Sequence, residues 1–352
     1  MNKSFWKGKR VIITGDTGFK GSWLVIILKM HGAIVQGISS SKYDNNIDFF
    51  NNLELHKISN TIDTDVRNSS DVNKIFDSFK PDIVFHMAAQ PLVRLSYQDP
   101  VNTYEINVMG TMSILEAIRK SSSVKSAVIV TTDKCYENKE WEWGYRENDP
   151  LGGHDPYSSS KACAELLTQS YQKCFFNDLS NSPGVSSVRA GNVIGGGDFS
   201  DDRLIPDLYR AIQKDSKLML RNPLATRPWQ HVFEPLSGYM RVVENLFEKG
   251  AQENDTWNFG PNISDIRTVR EITDLFSLSW GIEDIVEYDS SEQPHEAKSL
   301  SLDISKARFN LGWSPKWNLE NAINITATWY KAHYNNSEDL MKLSSQQIDE
   351  FF

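Results

Sequence analysis

The sequence predicts an α/β fold: a Rossmann-type doubly wound parallel sheet with a smaller, mixed α/β substrate lobe at its C-terminal side. Three observations lead there. Short β-branched runs alternate with longer helical patterns through the first half. A glycine-rich turn joins the first run to the first helix, and the alternation gives way near Ala190 to short elements punctuated by Pro206, Pro223, Pro228 and Pro235.

In order, Val11–Thr14 reads as a strand, Phe19–His31 as an apolar helix stopped by Gly32, and Ala33–Ile38 as a second strand. Asp71–Phe79 follows as a helix, Ile83–Met87 as a strand, Val101–Lys120 as a helix and Ala127–Thr131 as a buried strand. Tyr157–Phe175 is a long helix and Val185–Val188 a further strand. Helical patterns return at Pro235–Lys249, Thr268–Trp280 and Leu319–Tyr334, and the polar tail after Asn335 is compatible with a helix and reads as an adjunct of little chemical consequence. The expected division is a dinucleotide-binding domain over 1–190, with some later chain returning to it, and a mainly substrate-binding lobe over 191–352. In such sheets ligands bind beyond the carboxyl ends of the strands, where the motifs below fall.

Composition narrows the class. The chain has 352 residues, 39% of them hydrophobic and 24% charged, enough for a sizeable core in two lobes. No run approaches a membrane span, and the apolar stretch behind the basic N-terminus, Val11–Ile13, is too short for a signal peptide, so a cytoplasmic protein is expected. A net charge of -9 argues against nucleic acid as a partner. Cys135, Cys163 and Cys174 show no metal-ligand spacing, so no metal is expected.

The segment Gly15-Asp16-Thr17-Gly18-Phe19-Lys20-Gly21 follows the first strand and opens the first helix. Its G-x-x-G-x-x-G spacing lets a diphosphate approach backbone N–H groups at a helix start, which points to dinucleotide binding. Two departures bear on the cofactor. Asp16 puts a carboxylate in an anion-binding loop, and the second strand ends in Ser39-Ser40-Ser41-Lys42 with no acid for a ribose diol. Ser41 and Lys42 suit a 2′-phosphate, and Asp44 a ribose reached from the loop; NAD is favoured over NADP. Asp65 and Val66 are placed beside the adenine, and Ala88 and Ala89 where small residues give the cofactor room.

Tyr157 and Lys161 share a helix face at i, i+4, and Thr132 ends the strand before them. A tyrosine of ordinary pKa about 10 needs neighbouring positive charge to act as a base near neutrality, and Lys161 with a positive nicotinamide would supply it. Thr132 would donate to the same substrate hydroxyl.

With these motifs in place the chain resembles the extended short-chain dehydrogenases, and among them the nucleotide-sugar 4,6-dehydratases, over nearly its whole length. Long runs carry the likeness: His86-Met87-Ala88-Ala89-Gln90-Pro91-Leu92-Val93-Arg94, Thr132-Asp133-Lys134-Cys135-Tyr136, Trp141-Glu142-Trp143-Gly144-Tyr145-Arg146-Glu147, Val188-Arg189-Ala190-Gly191-Asn192-Val193-Ile194-Gly195-Gly196-Gly197-Asp198 and Arg227-Pro228-Trp229-Gln230-His231-Val232. The resemblance implies a lyase that oxidises C4 of a nucleotide-bound hexose, removes the C5 proton, expels the C6 hydroxyl as water and returns hydride to C6. It implies a nucleotide-sugar substrate, with a CDP-hexose favoured, and a place in supplying deoxysugars for lipopolysaccharide. It also puts the elimination pair at Asp133, the acid, and Lys134, either the base, if its charge is suppressed, or a stabiliser of the enolate. Asn192 and Arg227 are the implied substrate contacts; Arg189, Arg203 and Arg221 are further guanidinium candidates for the diphosphate. Trp141, Trp143 and Tyr145 read equally as a sugar wall or as a hydrophobic plug. A homodimer or homotetramer is implied, pairing the helices Val101–Lys120 and Tyr157–Phe175. The alternatives are a GDP- or dTDP-sugar dehydratase, a C4 epimerase, or a non-catalytic NAD(P)-sensing protein.

Overall fold

The computed structural model describes residues 2–42, 47–178, 182–220, 222–288, 299–336 and 339–352. Seven strands form one fully parallel sheet: β1 (Arg10–Thr14), β2 (Ile34–Ser39), β3 (Asn60–Asp63), β4 (Ile83–His86), β5 (Ser126–Val130), β6 (Gly184–Ala190) and β7 (Thr256–Phe259). The order is β7-β6-β5-β4-β1-β2-β3, so the chain reverses direction across the sheet between β1 and β4. The edge strand β7 comes from far down the chain and pairs Trp257 with Val188.

Side-chain alternation builds a core on each face. Ile12, Val84, Ala127 and Ile129 point to one side, under α2 (Ser69–Phe79) and α3 (Gly110–Lys120). Val11, Ile13, Phe85, Val128 and Val130 point to the other, against α1 (Phe19–Met30) and the later chain. Because both faces are covered, the strands read as continuous apolar runs. The helix expected over Val101–Lys120 is broken in register: Pro100–Tyr104 is α-helical, Glu105–Met109 makes a π turn, and α3 follows. A side chain at Gly110 would come within 2.7 Å of Val66 Cγ2, so this glycine lets the helix approach the loop after β3.

The long helix α4 (Pro156–Cys174) begins where local chemistry requires. Asp155 caps it, its Oδ1 accepting from Ser158 N at 2.9 Å, and Pro156 takes the first position. Beyond β6 come α5 (Leu204–Gln213), α6 (Phe233–Lys249), α7 (Val269–Trp280) and α8 (Leu319–Asn335), with two-residue and three-residue strand pairs between them, and α6 returns to pack against β5 and β6.

The tail departs from its polar reading. Leu340–Phe351 is a helix, α9, whose Ile348 and Phe351 are buried. Phe351 stacks edge-on to Trp317 at 4.8 Å, and α9 packs against α1. Widely spaced apolar residues had concealed an amphipathic face. Among the described residues no helix is long and apolar enough to cross a membrane.

Candidate active site

One cleft of about 1980 Å³ runs across the carboxyl ends of the strands and along the chain that follows β6. That is roughly twice the ~300–1,000 Å³ of a single-ligand pocket, room for a dinucleotide and a nucleotide sugar together.

Its floor begins at the reversal point. Thr14 and His86 are register partners on β1 and β4, and Thr14 Oγ1 lies 2.7 Å from His86 Nδ1. Thr111 Oγ1 donates to Asn107 O at 2.7 Å and therefore accepts from His86 Nε2 at 3.0 Å, which leaves Nδ1 to accept from Thr14. Burial, then the charge of Lys161, lowers the His86 pKa to about 3, so the ring is a neutral strut. Thr14 Oγ1 in turn accepts from Met87 N and Ala88 N at 3.1 Å each, drawing the small-residue segment against the glycine loop. Gly15 has φ +72°, and a Cβ there would sit 2.9 Å from Ala88 Cα. Gly15, Thr17, Gly18, Phe19 and Gly21 all line the cleft, as do Asp65, Val66, Ala88 and Ala89. The cradle fits a dinucleotide diphosphate at the start of α1.

Asp16 is turned away from that cradle. Its carboxylate is buried, accepting from Ser39 Oγ at 2.8 Å and Thr61 Oγ1 at 2.6 Å. Gly37 makes this possible: a Cβ there would be 1.8 Å from Asp16 Oδ2. The carboxylate therefore lies behind Ser39, at the strand end where an acid was missing from the sequence, and its charge opposes a 2′-phosphate at that corner. Lys42 lines the same end of the cleft; Asp44 lies outside the described residues.

At the other end Thr132, Asp133, Lys134, Tyr157 and Lys161 converge on the cleft. Thr132 caps the 3-10 turn Asp133–Cys135, its hydroxyl accepting from Lys134 N at 3.3 Å and donating to Asp133 Oδ1 at 3.0 Å. The Tyr157 phenol stands near Thr132, and the backbone N of Tyr157 donates to Ser96 Oγ at 3.1 Å. Burial raises the phenol to about 12, against the lowering effects of Thr132 and Arg203. Lys161 directs its ammonium to Val130 O at 3.1 Å, and burial lowers its pKa to about 8. The expected lowering of the phenol by Lys161 is thus not realised in the protein alone. A positively charged nicotinamide held beside the phenol would lower it.

Asp133 is 2% exposed, and its Oδ2 is buried without a hydrogen-bond partner. Burial raises its pKa, only partly offset by Lys134, Thr132, Arg227 and Lys20. A carboxyl whose burial favours the protonated form, with one oxygen unpartnered at the cleft, is suited to give a proton away.

Of the substrate candidates, Asn192, Arg203 and Arg227 line the cleft, and Arg221 lies outside the described residues. Arg189 does not reach it: its side chain is fully buried and ion-paired to Glu165 at 2.7 Å, so the expectation of a substrate contact is corrected. Trp141, Trp143 and Tyr145 form a column beside Tyr136, with Trp141 stacked on Tyr145 at 5.2 Å and Tyr145 on Tyr136 at 5.0 Å. Only Tyr136 of that column lines the cleft, which is the plug rather than the sugar wall. Lys20 was passed over in the sequence. It lines the cleft, and burial, Arg203 and Lys161 lower its pKa to about 8 against Asp133 and Asp198. A lysine within the glycine motif was the available signal.

The comparisons accord with this site. The chain belongs to the GDP-mannose 4,6 dehydratase family, whose model matches residues 12–326. Across its full length it is 46% identical to the CDP-glucose 4,6-dehydratase of Salmonella typhimurium, covering 98% of that protein. The human dTDP-D-glucose 4,6-dehydratase is 27% identical over 95% of this chain and 93% of its own. The solved dTDP-glucose 4,6-dehydratase of Streptomyces venezuelae superposes with a TM-score of 0.80 at 24% identity, covering 94% of this chain and 99% of that one. The UDP-glucose 4-epimerase of Thermotoga maritima also gives a TM-score of 0.80, at 19% identity, covering 92% and 99%. A dehydratase and an epimerase fit equally well, so the shared fold does not choose between the two reactions.

Proposed function

We propose that the chain removes water from CDP-glucose to give CDP-4-keto-6-deoxyglucose, with NAD as its cofactor. The observation that carries this reading is Asp133, a buried carboxyl with raised pKa beside the tyrosine site. An epimerase needs no such acid, and a cofactor sensor needs neither it nor the tyrosine. The full-length likeness to a CDP-glucose 4,6-dehydratase supports the base and the sugar.

When bound, NAD supplies the hydride acceptor for C4 and the donor for C6. The glycine cradle would hold its diphosphate, and the carboxylate behind Ser39 favours NAD over NADP. Tyr157 takes the C4 hydroxyl proton while Thr132 orients that hydroxyl. The new C4 ketone acidifies C5–H; Lys134 serves the C5 side, and Asp133 gives its proton to the departing C6 hydroxyl, which leaves as water. With NAD bound, hydride would be returned to C6 and a proton to C5, and the proton gained by Tyr157 and the one lost by Asp133 would be reset through solvent, so the sugar would have lost one water. Arg203, Arg227 and Asn192 hold the nucleotide diphosphate and sugar. Exposed apolar side chains on the expected pairing helices, Val101, Met109 and Leu166, support a homodimer or homotetramer.

Mass spectrometry of the protein incubated with NAD and, separately, CDP-, dTDP-, UDP- and GDP-hexoses tests the reading. Loss of one water from CDP-glucose alone is expected. Isomerisation without water loss, or water loss only from another nucleotide sugar, would overturn the reaction or the substrate respectively. The cradle has its own test: Gly15→Ala forces Cβ onto Ala88 and should weaken NAD binding at least about tenfold by calorimetric titration, a local strain of ~1–3 kcal/mol. Unchanged affinity would place the diphosphate elsewhere.

A further inference from the structure

We propose that Arg189, paired with Glu165 beneath the cleft, is a positioning residue that fixes the acid turn against the tyrosine helix and so governs elimination more than hydride transfer. This rests on the dehydratase reading above. Both side chains of the pair are fully buried, with Arg189 Nη2 donating to Glu165 Oε2 at 2.7 Å. Glu165 stands one helical turn after Lys161, on the same face of α4. Its other oxygen accepts from the hydroxyl of Thr131, the residue just before Thr132. Arg189 Nη1 donates to the phenol oxygen of Tyr136 at 2.7 Å, and that phenol donates to Asn258 Oδ1 at 2.8 Å. Tyr136 is the residue just after the turn Asp133–Cys135. One ion pair therefore grips both ends of the segment that carries Asp133 and Lys134, and anchors them to the helix that carries Tyr157 and Lys161.

Stability alone is a poor reason for this arrangement. Buried ion pairs are often replaced by apolar residues with no loss of stability, and Arg189 Nε is left buried without a partner. What the pair supplies is direction: its contacts fix where Asp133 Oδ2 stands relative to Tyr157. The tyrosine site has separate hydrogen-bond supports, Ser96 on Tyr157 N and Val130 O on Lys161, while the Glu165 charge also favours the Lys161 ammonium. Loosening the contacts of the pair with Thr131 and Tyr136, with both charges kept, should thus displace the acid and spare the base. A displacement of ~1 Å at a reacting group can cost about 100-fold in rate.

The test uses the full chain with NAD and CDP-glucose. The double variant T131V/Y136F removes the two hydroxyls through which the pair holds the segment and keeps both charges, and Y136F removes only the hydroxyl that Arg189 and Asn258 share. Rapid mixing follows nicotinamide reduction for the first hydride transfer, and quenched samples give water loss. With the double variant, water loss should fall about 30-fold to 100-fold, and hydride transfer should stay within about threefold. Y136F should shift the ratio of the two rates the same way, and it decides the matter if the double variant does not fold. Proportional loss of both steps, or unchanged water loss in a folded variant, would overturn the proposal. If the unaltered protein does not dehydrate CDP-glucose, the functional reading fails instead, a separate outcome.

Discussion

Replacing Tyr157 by phenylalanine should lower the first hydride transfer by about 10³-fold, with water loss falling in the same proportion. In the proposed reaction the phenol, which stands near Thr132 at the cleft, takes the C4 proton. Without that transfer no ketone forms, C5–H is not acidified, and elimination has no starting point. Because burial holds the phenol up to about 12 in the protein by itself, the unaltered enzyme should gain rate as pH rises toward the lower value set with oxidised cofactor bound. Stopped-flow absorbance of reduced nicotinamide, recorded over a pH series, measures both effects. An active Y157F protein would move the base to another residue.

The second large effect separates the two halves of the reaction. Asp133→Asn keeps the shape and the contact with Thr132 but cannot release a proton. Water loss should fall about 10²-fold to 10³-fold while C4 oxidation stays within a few-fold, so the 4-keto hexose accumulates with reduced cofactor. The pH dependence carries a definite sign. Burial raises the Asp133 pKa, and the acid works only when protonated, so elimination in the unaltered enzyme should decline as pH climbs through that raised value. The asparagine variant should lack that decline. Lys134→Ala should also stop dehydration while leaving C4 hydride transfer measurable; equal loss of both steps would remove Lys134 from the C5 side.

The features legible in the sequence were those whose chemistry is local. The glycine loop, the Tyr157–Lys161 spacing and the position of Thr132 at a strand end each depend on neighbours within one turn or one strand, and the structure puts all of them on one cleft. What escaped depends on partners far along the chain. Arg189 looked like a diphosphate ligand because nothing local shows that Glu165 and Tyr136 enclose it. Asp16 looked harmful to the cofactor until Ser39, Thr61 and the absent side chain of Gly37 gave its carboxylate somewhere to go. The π turn at Glu105–Met109 and the packing of the tail likewise follow from tertiary contacts that periodicity does not register.

The helix α9 lies against α1, the helix whose opposite end forms the anion cradle, and His31 at the C-cap of α1 meets the Phe352 ring at 6.3 Å. In folding terms this closure is among the most non-local in the molecule. As the chain leaves the ribosome, α1 and the glycine loop emerge early, yet the part of α1 that α9 covers waits until Leu340–Phe351 has been made. The nucleotide-binding half therefore completes its core late. A cofactor that binds only the finished cradle would pull this last docking step forward by mass action.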